Sequence, residues 1–116
     1  MVKAVYQPDR GHFVELDFTP NAGTEQGGHR PALVLSPKRF NIATGLMIAV
    51  PVTNQVKGSP FEVKIPRGCG VTGVVLSDHV KSVDWIARNT RFKSEASDEL
   101  MCEVLGRIEA ILEIDC

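Results

Sequence analysis

Apolar and polar positions alternate over residues 12–18, with Val14, Leu16 and Phe18 on one side and Phe13, Glu15 and Asp17 on the other. That period of two is the signature of a half-buried strand. Residues 31–36 form a short apolar run, P-A-L-V-L-S, and predict a buried strand that starts at Pro31, where a missing N–H costs least. A third strand is expected over residues 46–53. Pro51 near its end belongs at an edge or a bulge, because proline cannot donate to a ladder. Phe61, Val63 and Ile65 alternate again, and residues 73–77 and 80–85 read as two further strands bent around Asp78-His79. The last segment changes period. Leu100, Met101, Val104, Leu105, Ile108, Ile111 and Leu112 recur at helical spacing. Ser97 supplies a cap, and Asp98 and Glu99 place negative charge at the positive end of the helix dipole. Cys102 is expected to pack on this helix.

Between these elements lie a long Pro-, Asn- and Gly-rich loop over residues 19–30, a connection over 37–45 with room for one helical turn, a polar loop over 54–60 and a turn over 66–70. Several short strands closed by one helix predict a mainly β fold with a C-terminal helix, a small barrel of SH3-like type. All 116 residues fit one domain.

The formal net charge of -1 argues against a uniformly basic nucleic-acid binder. The charge is unevenly spread, however. Residues 1–93 hold 12 Lys/Arg against 7 Asp/Glu, a balance of +5, and residues 94–116 hold Arg107 against 7 acidic residues, a balance of -6. A basic body can therefore meet a polyanion while the acidic segment occupies another face. His12, His29 and His79 lack the spacing of a metal-binding helix, and Cys69, Cys102 and Cys116 fit neither a zinc site nor a redox pair, so no metal and no cofactor are expected. No apolar run is long enough to span a membrane, and the first residues carry no signal-peptide pattern. Reduced thiols and a cytoplasmic location follow as expectations.

The stretch G-T-E-Q-G-G-H-R-P over residues 23–31 is the candidate site. A glycine-rich loop ends on Arg30, whose guanidinium fork matches a phosphate, and Pro31 biases Arg30 towards extended backbone. An ordinary surface salt bridge is the rival reading of Arg30. Thr53, Asn54, Gln55 and Lys57 follow the third strand, and Lys81 and Ser82 follow the fifth. In a small barrel such loop ends converge, and their side chains can grip phosphates and read base edges. Phe61 and Trp85 read as core aromatics that can also offer stacking faces.

In order and spacing these segments resemble the MazF/PemK-type toxins, sequence-specific endoribonucleases of toxin–antitoxin pairs. The resemblance is carried by D-F-x-P at residues 17–20, E-Q-x-G-x-R-P at 25–31, A-L-V-L-S-P at 32–37, V-P-V-T-N-Q-V-K-G-x-P-F-E-V at 50–63 and G-V-V-L-S-D-H-V-K-S-V-D-W at 73–85. It implies a metal-independent cut of single-stranded RNA, by attack of a 2′-hydroxyl on the adjacent phosphodiester, leaving a 2′,3′-cyclic phosphate and a 5′-hydroxyl. Arg30 and Thr53 match the family's catalytic arginine and threonine, and Glu25 is a candidate base or loop anchor. His29, Asn54, Gln55, Lys57, Lys81 and Ser82 are the candidate RNA-binding residues. The resemblance also implies a homodimer and a cognate acidic, MazE-like antitoxin that fills the RNA groove. Val14-Glu15 and Asn54 depart from the family's pattern, so the cut sequence does not carry over. A gyrase-poisoning toxin of CcdB type on the same fold, which cuts nothing, and a plain RNA- or peptide-binding SH3-like module are the alternatives.

Overall fold

A computed structural model describes residues 5–18 and 28–113. The elements run β1 (His12–Phe18), β2 (Gly28–Val34), α1 (Lys38–Thr44), β3 (Leu46–Thr53), β4 (Glu62–Lys64), β5 (Val74–Leu76), β6 (Lys81–Asp84), β7 (Arg91–Glu95) and α2 (Asp98–Leu112). Every described pairing is antiparallel, in the order β4-β5-β3-β2-β1-β7, with β6 also paired to β3. The expected barrel is not closed by a strand pairing between β4 and β7 among the described residues. Instead the turn after β4 touches β7 through the Ser94 hydroxyl, which donates to Cys69 O at 2.5 Å.

Alternation along the central strands divides the core into two layers. Phe13, Leu33, Val50 and Val52 pack on one face with Val63, Val75 and the α2 residues Leu100, Met101 and Val104. Val14, Leu16, Ala32, Val34, Met47 and Ala49 pack on the other with Val83 and Trp85. Each large side chain buried this way stabilises the fold by about 1.5–3 kcal/mol. Trp85 is thus a core residue, and Phe61 is half-buried.

A polar hub anchors the second layer. The Asn41 side-chain amide, fully buried on α1, donates to Pro8 O at 2.8 Å and to Ser36 O at 3.1 Å. Its Oδ1 accepts from the Ser36 hydroxyl at 2.6 Å, and its main-chain oxygen accepts from the Trp85 indole at 2.8 Å. Ser36 Oγ in turn accepts from Ile48 N–H at 2.8 Å. At the start of α1 the Asp9 carboxylate accepts from the N–H groups of Lys38 and Arg10, both at 2.8 Å. The Lys38 bond is the main reason that the Asp9 carboxyl lies below its ordinary pKa, with the Arg10 bond adding to it against a smaller burial penalty. Gly45 ends α1 at φ 73°, a left-handed cap that suits glycine.

Several sequence expectations need correction. Strand β2 starts at Gly28 rather than Pro31, so Arg30 lies inside a strand, paired with Leu16. Pro51 lies in central strand β3, not at an edge or bulge. Leu35 N–H donates to Ile48 O across the β2–β3 ladder at 2.8 Å. Main-chain groups alternate sides along a strand, so residue 51 points its nitrogen away from β2. On that side β6 pairs with residues 46–49 and β5 takes over at Val52, and the missing N–H falls between them. The same alternation turns the Pro31 nitrogen towards β3, just past the last ladder pair, Ala32–Pro51. Strand β7 is an addition. Cys102 is exposed rather than packed, because only Leu100, Met101 and Val104 of α2 are buried.

Candidate functional site

The register of β2 and β3 assembles the site. Beyond the last ladder pair, Ala32–Pro51, strand alternation keeps Arg30 and Thr53 on the face that carries Ala32, Val34 and Ala49 further along. Both line one cleft of about 470 Å³. The loop after β3 adds Gln55 and Lys57, the turn after β5 adds Asp78 and His79, and Lys81 opens β6. Arg30, Thr53, Gln55, Lys57 and Lys81, separated by as many as 51 positions in the chain, thus share one wall system.

The loop bearing Gln55 and Lys57 is held rigidly from beneath. Both Glu62 carboxylate oxygens accept main-chain N–H groups, one from Lys57 and one from Gly58, each at 3.0 Å. The Thr53 hydroxyl oxygen accepts from Gln55 N–H at 3.1 Å, which leaves the hydroxyl proton to donate elsewhere. The Lys57 and Lys81 ammonium groups have no hydrogen-bond or ion-pair partner among the described residues. Asp78 and His79 face one another at 3.7 Å and are both exposed. Gly73, at φ 107°, lies beneath Thr53; a Cβ there would be driven into the Thr53 carbonyl oxygen and to 2.9 Å from Asn54 Oδ1.

Two further sequence candidates, Asn54 and Ser82, lie elsewhere. Asn54 points away from the cleft, and its Oδ1 accepts from the Thr72 hydroxyl at 3.1 Å. Ser82 pairs with Ile48, and alternation sends it to the face opposite Lys81. The His29 backbone pairs with Asp17 in the β1–β2 ladder, and its side chain lies outside the described residues. Glu25 also lies outside them. Asp78, His79 and Glu62 were not singled out by sequence reasoning. The signal for the first two was the bend between residues 77 and 80, which places polar side chains at a strand end. No described group of three or more His, Cys, Asp or Glu side chains is arranged to hold a metal ion.

Comparison with known proteins covers nearly the whole chain. Residues 9–112 match the family model described as PemK-like, MazF-like toxin of type II toxin–antitoxin system. The endoribonuclease toxin MazF of Escherichia coli strain K12 is 43% identical over 107 residues, covering 92% of this chain and 96% of that protein. The endoribonuclease PemK of Escherichia coli is 36% identical, covering 97% and 87%. Among solved structures, a MazE–MazF crystal structure from Deinococcus radiodurans superposes with a TM-score of 0.88 at 51% identity, covering 95% of this chain and all of that one, 100%.

Proposed function

The chain belongs to the PemK/MazF family of type II toxins and is an endoribonuclease toxin, and from that premise we propose that Arg30 and Thr53 form its catalytic pair for cutting single-stranded RNA without a metal. The observation that supports this most directly is that both line one cleft in which the Lys57 and Lys81 ammonium groups have no partner among the described residues. In the reaction the 2′-oxygen forms a bond to phosphorus while the bond to the 5′-oxygen breaks. The 2′-hydroxyl proton passes to a base and the leaving oxygen gains a proton, so no water is consumed. The Arg30 guanidinium donates to the crowded phosphorane oxygens, and the Thr53 hydroxyl donates to a non-bridging oxygen. Lys57 and Lys81 hold neighbouring phosphates, and Gln55 presents an amide to a base edge. Both Glu62 oxygens are taken by the loop, so the proton transfers fall to Asp78 and His79 among the described cleft residues, with Glu25 a further candidate base. His29 remains a candidate RNA contact, whereas Asn54 and Ser82, turned away from the cleft, take no part in this centre.

The same reading makes the protein a homodimer in the cytoplasm, controlled by an acidic, MazE-like antitoxin segment that competes for the basic cleft. No helix among the described residues is long and apolar enough to cross a membrane. The test is incubation of purified protein with a long RNA in EDTA, followed by mapping of the ends. Discrete cuts with 2′,3′-cyclic phosphate and 5′-hydroxyl ends are expected. Intact RNA would overturn the reading, and a gyrase-inhibition assay would then identify a CcdB-like poison.

A further inference from the structure

A second cavity, larger than the cleft at about 730 Å³, opens on the other side of Ser59 and Glu62, the two residues that line both. Buried Ile65 and Val71 give it an apolar floor, and the exposed Val56 side chain stands at its edge. Its rim carries Lys64 and Arg67, both exposed and both without a hydrogen-bond or ion-pair partner for the side chain among the described residues. Glu62 brings a carboxylate to the lining, and both its oxygens accept from the Lys57 and Gly58 N–H groups. Four cations, Lys81, Lys57, Lys64 and Arg67, therefore line two adjoining cavities with no carboxylate paired to them among the described residues.

We infer that this second groove holds the nucleotides flanking the cut, so that one RNA strand runs from Arg30 and Lys81 past Lys57, over the Ser59–Glu62 ridge, to Lys64 and Arg67. The inference rests on the endoribonuclease reading above. Single-stranded RNA offers one charge per nucleotide and flat apolar base faces, and an apolar floor with a cationic rim answers both. Continuity with the cleft selects an occupant that fills the cleft as well.

The test begins with the cut site mapped on a long RNA. Two oligonucleotides centred on it, about 4 and about 12 nucleotides long, carry a 2′-deoxy nucleotide at the cut position, so that they bind without reacting. Fluorescence anisotropy then measures their affinity across a salt series for wild type and for Lys64→Ala/Arg67→Ala. Wild type should bind the longer RNA about tenfold tighter or more, with a salt slope steeper by about 1.4 for two added phosphate contacts. The double variant should lose most of that advantage and that added slope, while circular dichroism shows its fold unchanged. A variant that keeps the wild-type advantage for the longer RNA would overturn the inference. So would a variant whose only change, by light scattering, is in oligomeric state, since the groove would then be a subunit contact. Failure of the wild-type protein to cut any RNA would instead overturn the reading on which the inference stands.

Discussion

The hub around Asn41 and the cleft around Arg30 are both rich in polar groups, and the hydrogen-bond inventory separates them. Every side-chain atom of Asn41 that can donate or accept has a protein partner, and the residue is fully buried. In the cleft, the Lys57 and Lys81 ammonium groups have none among the described residues, and about 470 Å³ stands open before them. Satisfied buried polar groups specify one packing, because leaving any of them unmatched is costly. Unmatched donors around an open volume do little for the fold and keep their bonding capacity for a ligand. Polarity alone therefore does not mark a site; unmet hydrogen-bonding capacity does.

Substitution can break this contrast in both directions. Arg30→Ala should lower cleavage of RNA by about a thousandfold, as loss of a principal transition-state donor does, and leave the thermal midpoint nearly unchanged. A variant that cuts at the wild-type rate would remove Arg30 from the centre. Asn41→Ala should do the reverse. It strands the Ser36 hydroxyl and the Pro8 carbonyl and should lower stability by about 2–4 kcal/mol in denaturant titration, with cleavage per folded molecule unchanged.

Glu62→Gln sits between the two regions. The amide keeps one acceptor oxygen but turns a donor towards the other N–H of the 57–58 loop. Steady-state cleavage should show KM raised about fivefold, the equivalent of one net hydrogen bond, with kcat little changed. A kcat loss without a KM change would make Glu62 part of the chemistry instead. Asp9→Asn is the mildest. The Asp9 carboxyl titrates below its ordinary value in the folded chain, so its contribution is full above about pH 4 and disappears as pH falls through the lowered folded value. The variant should have a slightly lower Tm at pH 7, and the gap from wild type should close in strong acid.

Legibility from sequence followed the same division. α2 was readable because one buried stripe imposes a helical period, β1 because Glu15 and Asp17 alternate with its apolar positions, and β3 because a strand buried on both faces is a continuous apolar run. β7 was not: its sequence R-F-K-S-E carries charge and an exposed Phe92, as suits an edge strand paired on one side only. The start of β2 was hidden because Gly28 and Pro31 both read as breakers, and only the register with β1 and the end of the β3 ladder explain their tolerance. Arg30, Thr53 and Lys57 were legible through motif spacing. The diversion of Asn54 to Thr72 and of Ser82 to the far face depends on strand alternation and tertiary partners, which no local pattern encodes. The role of Glu62 in holding a loop was equally invisible, since in sequence it is one more polar position of an alternating strand.

Gly73 carries a consequence of its own. A side chain there would push against the carbonyl of Thr53, so the backbone that carries this proposed catalytic residue has no tolerance for even a methyl group at position 73. In a saturation scan of the toxin expressed in growing cells, substitutions at position 73 should therefore be enriched among survivors as strongly as those at Arg30, although residue 73 has no side chain to offer a substrate. A map of toxicity drawn from such a scan would place the active centre partly on a residue whose contribution is the space it leaves empty.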